Sequence, residues 1–299
     1  MKTFDDYGIS IYNDSIETFT DIPDSSVDLT VTSPPYNVNM PYATYQDKLP
    51  YDQYLHWCSQ WLSRIYTLTK SGGRICINIP ADIGDGNKGT HCICNDYINI
   101  ARKLGWQYHR IIVWDKGISN KTSRGVFMSA AAPRRTFCFE VVLVFFKDQW
   151  EKFERKESDM SRGEFLDYTD GIWKFNGESN PRHPAVFPLE MPRRCIKLFS
   201  FIGDTVLEPF CGTGTTLVAA AHLNRKAIGV DIDSKYCAIA KRRLQMHTHI
   251  GKAGLMKQAG SESVFKAHDG ISNASELAAV REDRKSRTVR VHGIKRFLK

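Results

Sequence analysis

The stretch T-V-L-E-P-F-C-G-T-G-T-T, from Thr205 to Thr216, leads an apolar strand into a helix through two closely spaced glycines. Glycine tolerates the backbone angles of a tight turn and lets a ligand approach the main chain. The next apolar run, A-I-G-V-D, ends at Asp231, where an acid can hydrogen-bond the two hydroxyls of a ribose. A strand, a glycine turn, a helix and a second strand with a terminal acid therefore predict a nucleoside site in an α/β sheet.

The glycine turn must be weighed against three classes of nucleotide cofactor. A loop for nucleoside triphosphates needs a lysine after Gly214, and Thr215 stands there. The dinucleotide pattern needs a third glycine where Leu217 stands, which leaves NAD as the weaker alternative. Glu208 would repel a polyphosphate, but it suits the ammonium group of S-adenosylmethionine, directly or through water. A glycine turn without a ligand also stays open.

A second stretch, V-D-L-T-V-T-S-P-P-Y from Val27 to Tyr36, is a strand that stops at two consecutive prolines. Proline cannot donate to a sheet ladder, and it makes the residue before it extended. The sequence therefore predicts a stiff rim that holds a hydroxyl, a carbonyl and an aromatic ring at the carboxyl end of the strand. Ligands bind at that edge in open α/β sheets. A simple loop closed by the two prolines is the alternative.

Alternating apolar strands and helices along the chain predict an α/β fold with a doubly wound, mostly parallel sheet covered on both faces. The pattern breaks after Phe146, where charged residues and isolated aromatic residues predict an inserted segment. We expect four parts: residues 1–146 as the half that carries the proline rim, 147–182 as an insertion, 183–249 as the cofactor-binding half, and 250–299 as a basic tail.

Composition narrows the class of protein. The 299 residues carry a formal net charge of +8, and residues 251–299 contain 11 Lys and Arg against 5 Asp and Glu, so a polyanionic partner is plausible. No apolar run approaches the roughly 18 residues that span a bilayer, and the first residues show no signal segment, so we expect a cytoplasmic protein. The eight cysteines include no C-x-x-C, and His91-Cys92-x-Cys94 lacks a second ligand pair, so no metal is expected.

Together these stretches resemble the amino-methylating DNA methyltransferases, which modify an exocyclic nitrogen of cytosine or adenine. Ser33-Pro34-Pro35-Tyr36 is similar to their catalytic motif [DNS]-P-P-[YFW], and Phe210-Cys211-Gly212-Thr213-Gly214 to their cofactor loop F-x-G-x-G. The catalytic motif precedes the cofactor loop, which resembles the β arrangement of the family. His183–Ser200 resembles the block before the cofactor loop, and Asn13-Asp14-Ser15 the adenine-contacting segment.

The resemblance implies the S-adenosylmethionine-dependent methyltransferase fold with a small inserted recognition region at residues 147–182. It implies sequence-specific methyl transfer to a base extruded from double-stranded DNA, in a restriction-modification system whose endonuclease acts on the same site. Serine before Pro-Pro is similar to the cytosine-N4 enzymes, whereas Asp or Asn is more typical of adenine-N6 enzymes, which remain the alternative. Methylation at ring carbon 5 would require a Pro-Cys dipeptide, which the sequence lacks.

The resemblance and the residue patterns together predict the site. Catalysis is expected from Ser33, Pro34, Pro35 and Tyr36. Cofactor binding is expected from Asp14, Ser15, Pro184, Phe187, Glu208, Pro209, Phe210, Cys211, Gly212, Thr213, Gly214, Thr215, Thr216 and Asp231. DNA phosphate contacts are expected from Lys121, Arg124, Arg134 and Arg135. A homodimer is compatible with this scheme. The alternatives from other classes are an NAD-binding oxidoreductase and a DNA- or RNA-binding protein without catalysis.

Overall fold

The computed structural model describes residues 1–255 except 7, 43, 46, 86–88, 118–127, 132–137, 153 and 178–186. One compact unit covers Met1–His249. The predictions for Pro184, for the four basic residues of the loop after residue 116, and for most of the tail lie outside the described residues.

Eleven strands and six helices occupy the described residues. The strands are β1 Lys2–Asp6, β2 Ile9–Asn13, β3 Val27–Thr32, β4 Thr69–Ile79, β5 Ile83–Asp85, β6 Gly89–His91, β7 Gln107–Asp115, β8 Phe139–Phe146, β9 Ile172–Lys174, β10 Thr205–Glu208 and β11 Lys226–Asp231. The helices are α1 Tyr51–Leu68, α2 Ile93–Lys103, α3 Arg162–Tyr168, α4 Glu190–Phe199, α5 Thr215–His222 and α6 Ser234–Leu255.

Nine strands form one sheet in the order β1-β2-β11-β10-β3-β4-β8-β7-β9. The run from β2 to β4 is parallel, β1 and β8 are antiparallel to their neighbours, and β9 is parallel to β7. The predicted doubly wound, mostly parallel sheet is therefore confirmed. Strands β5 and β6 form a separate hairpin.

The sheet is buried on both faces, as the apolar pattern of its strands requires. All six residues of β3 are buried, which in a parallel sheet means that helices cover both sides. On one face, Ile75 and Ile77 of β4 pack in a core with α1 and α2. On the other face, Leu29 and Val31 of β3 pack in a core with α4, α5 and α6.

The strand order brings the predicted motifs to one place. Strands β11, β10 and β3 are parallel neighbours, so their carboxyl ends meet at the same edge. Asp231 ends β11, the glycine turn follows β10, and the proline rim follows β3. This is the edge at which open α/β sheets bind ligands.

The glycines at the end of α1 act differently from the sequence prediction, which placed the helix stop there. Helix α1 ends at Leu68, and Ser71-Gly72-Gly73 lie inside β4. Pairing of β4 with β3 jumps from Val27↔Thr69 to Leu29↔Arg74, so the glycines form an irregular bulge. A Cβ on Gly73 would lie 2.5 Å from Thr69 Cγ2, which explains the glycine by close packing rather than by helix termination.

The segment after β8 divides into two parts. Residues 147–161, here called the amino-edge segment, follow the edge opposite the glycine turn, because β8 is antiparallel and ends there. Lys152 Nζ contacts Asp204 Oδ2 at 2.7 Å, and Arg225 donates to Asp159 at 2.9 Å. After it, α3 packs on α4 and β9 pairs with β7 at the end of the sheet.

Candidate active site

An open cavity of about 1110 Å³ lies at the carboxyl edge of β3, β10 and β11. It joins the proline rim to the glycine turn. Predicted residues that line it are Asp14, Ser15, Ser33, Pro34, Pro35, Tyr36, Phe187, Pro209, Phe210, Cys211, Gly212, Thr213, Thr215 and Asp231. Residues that sequence reasoning did not predict are Ile16, Glu17, Tyr42, Thr44, Tyr45, Trp57, Ile232, Asp233 and Tyr236.

The proline rim is fixed from both sides. The carbonyl of Pro35 accepts a hydrogen bond of 3.0 Å from the buried Tyr54 hydroxyl on α1. Beyond the rim, the buried Asp47 carboxylate accepts from the backbone amides of Asn37, Val38 and Met40 at 2.8 to 3.0 Å. These contacts hold the rim where Ser33 and the Tyr36 ring face the cavity.

The hydroxyl of Tyr36 is bonded within the protein. It lies 2.5 Å from Ser33 Oγ, 3.1 Å from the backbone oxygen of Asn78 and 3.1 Å from the Asn78 amide nitrogen. Burial, with a smaller effect of the nearby Glu140 carboxylate, raises the pKa of Tyr36 well above its ordinary value. The phenol is therefore protonated at neutral pH.

Asp231 organises the glycine turn. One carboxylate oxygen accepts from the Gly212 amide at 2.7 Å, and the other accepts from the Asp233 amide at 2.9 Å. Gly212 and Gly214 have φ angles of 49° and 83°, in the left-handed region that favours glycine. A Cβ on Gly214 would come within 2.8 Å of the Ala240 Cβ, so the turn also packs closely on α6.

Glu208 lies behind the turn rather than in the cavity. Its side chain is 1% exposed, and it accepts from Thr216 Oγ1 at 2.8 Å and from the Phe210 amide at 3.3 Å. Burial raises its pKa to about 8. The expected direct contact with the cofactor's ammonium group finds no opening here, and Gly214 and Thr216 likewise do not line the cavity.

Glu17 is a carboxylate that does line the cavity and that sequence reasoning missed. It accepts hydrogen bonds from Ser15 Oγ and from Trp57 Nε1. The Trp57 ring lies 5.5 Å from the Phe210 ring, which places Glu17 beside the glycine turn's own aromatic residue. The signal was available, since Glu17 follows Asp14 by three residues, but Trp57 was hidden among the apolar positions of α1.

The cavity is acidic. Four carboxyl groups line it, those of Asp14, Glu17, Asp231 and Asp233, and no Lys, Arg or His occurs among its described lining residues. Such a lining disfavours the pyrophosphate of a dinucleotide and suits a cation. S-adenosylmethionine carries a sulfonium, an ammonium, a ribose and an adenine ring, and the acids and the rings of Phe187 and Phe210 fit these groups.

Comparison with known proteins decides the family. The family model described as DNA methylase matches residues 27–242. The chain belongs to this DNA methylase family. The Type II methyltransferase M.MjaVI of Methanocaldococcus jannaschii is 42% identical to the methylase over 173 residues, covering 58% of this chain and 88% of the relative.

Solved structures agree with the fold and with the cofactor. The methylase resembles TTHA0409, a DNA modification methylase from Thermus thermophilus crystallised with S-adenosyl-L-methionine, with a TM-score of 0.63, 28% identity and coverage of 80% of this chain and 93% of that one. The cytosine-N4-specific PvuII DNA methyltransferase gives a TM-score of 0.62 over 84% and 93% of the chains, and at 20% identity it shows the fold alone. The cofactor is S-adenosyl-L-methionine, as predicted, and not NAD.

Two absences complete the description. No described group of three His, Cys, Asp or Glu side chains is placed to hold a metal ion. Among the residues with a described placement, no helix combines the length and apolar character needed to cross a bilayer.

Proposed function

We propose that the methylase transfers a methyl group from S-adenosyl-L-methionine to N4 of a cytosine extruded from double-stranded DNA. The observation that carries the proposal is that Ser33, on a rigid rim, faces the same acidic cavity as the glycine turn. A restriction-modification system, with an endonuclease of the same specificity, is the biological setting that we propose.

The chemistry gives each rim residue a role. The lone pair of an exocyclic amino group is delocalised into the ring, so it is a poor nucleophile. Acceptors for the amino protons localise that lone pair and favour the tetrahedral nitrogen of the transition state. The Ser33 hydroxyl and the Pro34 carbonyl are the acceptors, Pro35 contributes no competing N–H, and the Tyr36 ring stacks on the extruded base.

The bound cofactor supplies an activated methyl group, so this chain needs neither a metal nor a covalent nucleophile. We place the ribose at Asp231 and the adenine near Asp14 and Ser15. The ammonium group belongs at Glu17 rather than at Glu208, because only Glu17 reaches the cavity. The proton released by the amino group passes to solvent.

The choice of base rests on Ser33. A serine hydroxyl at this position favours cytosine N4, and adenine N6 is the second candidate, since the same two acceptors can serve either amino group. The contacts of Lys121, Arg124, Arg134 and Arg135 with DNA phosphates, a recognition role for the segment that contains α3 and β9, and a homodimer remain parts of the proposal.

Nucleoside mass spectrometry tests the proposal. The purified protein is incubated with unmethylated DNA and S-adenosyl-L-methionine, and the DNA is digested to nucleosides. We expect N4-methylcytosine, absent when Ser33→Ala replaces the wild type. N6-methyladenine instead would move the assignment to the second candidate, and sequencing of the modified bases would give the target site.

A further inference from the structure

A buried amide on β4 touches the proposed catalytic rim. Asn78 is 1% exposed, and its side-chain nitrogen lies 3.1 Å from Tyr36 Oη and 2.6 Å from Glu140 Oε2. Its backbone oxygen lies 3.1 Å from the same Tyr36 Oη. Glu140 is in turn held by a salt bridge to Lys116.

The direction of each hydrogen bond in this chain is fixed by what its atoms can do. The Glu140 carboxylate only accepts, so the Asn78 amide presents its N–H groups to Glu140 and to Tyr36. The Asn78 backbone carbonyl also only accepts, so Tyr36 gives its single proton to that carbonyl. The Tyr36 oxygen then offers only a lone pair to Ser33, 2.5 Å away.

We propose that Asn78 is a positioning residue, which through Tyr36 makes Ser33 an obligate hydrogen-bond acceptor. The Ser33 proton goes to Tyr36, and both remaining lone pairs of Ser33 Oγ are left for the amino group of the target base. This inference rests on the proposed function and deepens it. The hydroxyl of Tyr36 thereby acquires a role separate from the stacking of its ring.

A second observation separates this role from simple packing. The Asn78 side-chain oxygen is buried and has no hydrogen-bond partner among the described residues. An unsatisfied buried acceptor costs about 1–3 kcal/mol, which an apolar residue of similar shape would avoid. An amide at this position is therefore explained by its N–H groups, which bridge Glu140 and Tyr36.

A double-mutant cycle on the full-length protein tests the inference. Tyr36→Phe keeps the ring and removes the hydroxyl, and its effect on the single-turnover rate of methyl transfer is measured in the wild type and in Ser33→Ala. We expect Tyr36→Phe to lower the rate about ten- to a hundredfold in the wild type, somewhat less than the loss of a direct transition-state contact. In Ser33→Ala, where no serine proton needs an acceptor, the further loss should stay within about threefold.

Two further variants protect the test. Ser33→Asp places an acceptor without a proton to dispose of, so Tyr36→Phe should again have little effect in that background, where activity suffices to measure it. Asn78→Leu should lower the turnover rate and leave the binding of S-adenosylhomocysteine and the KM for DNA near wild-type values. Thermal unfolding shows whether each variant is folded.

The outcomes are distinct. Equal losses from Tyr36→Phe in all three backgrounds would mean that the tyrosine hydroxyl acts independently of Ser33, and the inference would be wrong while the proposed function stood. A wild-type protein that binds S-adenosylhomocysteine but methylates no DNA would overturn the proposed function itself.

Discussion

The buried carboxyl group of Glu208 should make the stability of the methylase fall as the pH rises. The folded protein holds this group in a site where burial raises its pKa to about 8, against an ordinary value of 4.5. The folded state therefore keeps the proton more tightly than the unfolded state does. Its stabilising effect is complete below pH 4.5 and is lost as the pH rises through 8.

The size of the effect follows from these two values. Each pH unit between them corresponds to about 1.36 kcal/mol, so the difference between 8 and 4.5 sets an upper limit of roughly 5 kcal/mol. Glu208→Gln removes the titration and keeps an oxygen that accepts from Thr216, whose hydroxyl lies 2.8 Å from Glu208 Oε2. The variant should be close to the wild type at about pH 5 and more stable at about pH 8.5, by an amount on the order of a few kcal/mol.

Urea unfolding of both proteins without cofactor, at half-unit steps from about pH 5 to about pH 9, measures the difference directly. Other titrating groups cancel because only the gap between the two proteins is used. A gap that stays constant over this range would show that Glu208 is ionised in the folded protein, and the argument from its burial would fail.

Three further changes probe the fold and the cofactor site. Glu17→Gln should weaken S-adenosylhomocysteine about tenfold or more in calorimetry, since a charged hydrogen bond is worth about 1.5–3 kcal/mol, and should leave 5′-methylthioadenosine, which has no ammonium group, unchanged; equal effects on both ligands would exclude the proposed contact. Gly214→Ala should lower the melting temperature, because φ is 83° and the new Cβ would lie 2.8 Å from Ala240; an unchanged melting temperature would mean that α6 moves away freely. Although burial opposes it, hydrogen bonds from Lys197 and Ser161 lower the pKa of Glu164 to about 2. Glu164→Gln should thus destabilise the protein at pH 7 by up to about 3 kcal/mol, with a loss that shrinks as the pH falls from 4.5 towards 2; a loss independent of pH would point to packing alone.

The sheet and the meeting of the two motifs could be predicted from the sequence because they depend on local patterns. The strands at Val27–Thr32 and Lys226–Asp231 have the predicted bounds, since each is an apolar run ended by residues that stop a strand. The glycines at 72 and 73 misled, because a glycine pair ends a helix or fits a crowded bulge equally well, and only the packing against Thr69 decides between them.

The parts that could not be predicted depend on contacts between distant residues. The amino-edge segment looks like a loose insertion, because its order comes from Asp204 and Arg225, which lie far along the chain. Strand β9 has three residues, too few for a visible alternation. The predicted role of Glu208 failed to anticipate which way the carboxyl group points, whereas the position of Asp231 at the cavity followed from its place at a strand end.

The position of the amino-edge segment sets a rule for building chimaeras of this methylase. An exchange of target specificity that cuts the chain after residue 146 would remove Lys152 and Lys156, and Asp204 would be left 2% exposed without its two cations. A junction after residue 161 leaves those ion pairs intact and exchanges only the part that begins with α3. Grafts made at the later junction should therefore fold where grafts made at the earlier one do not.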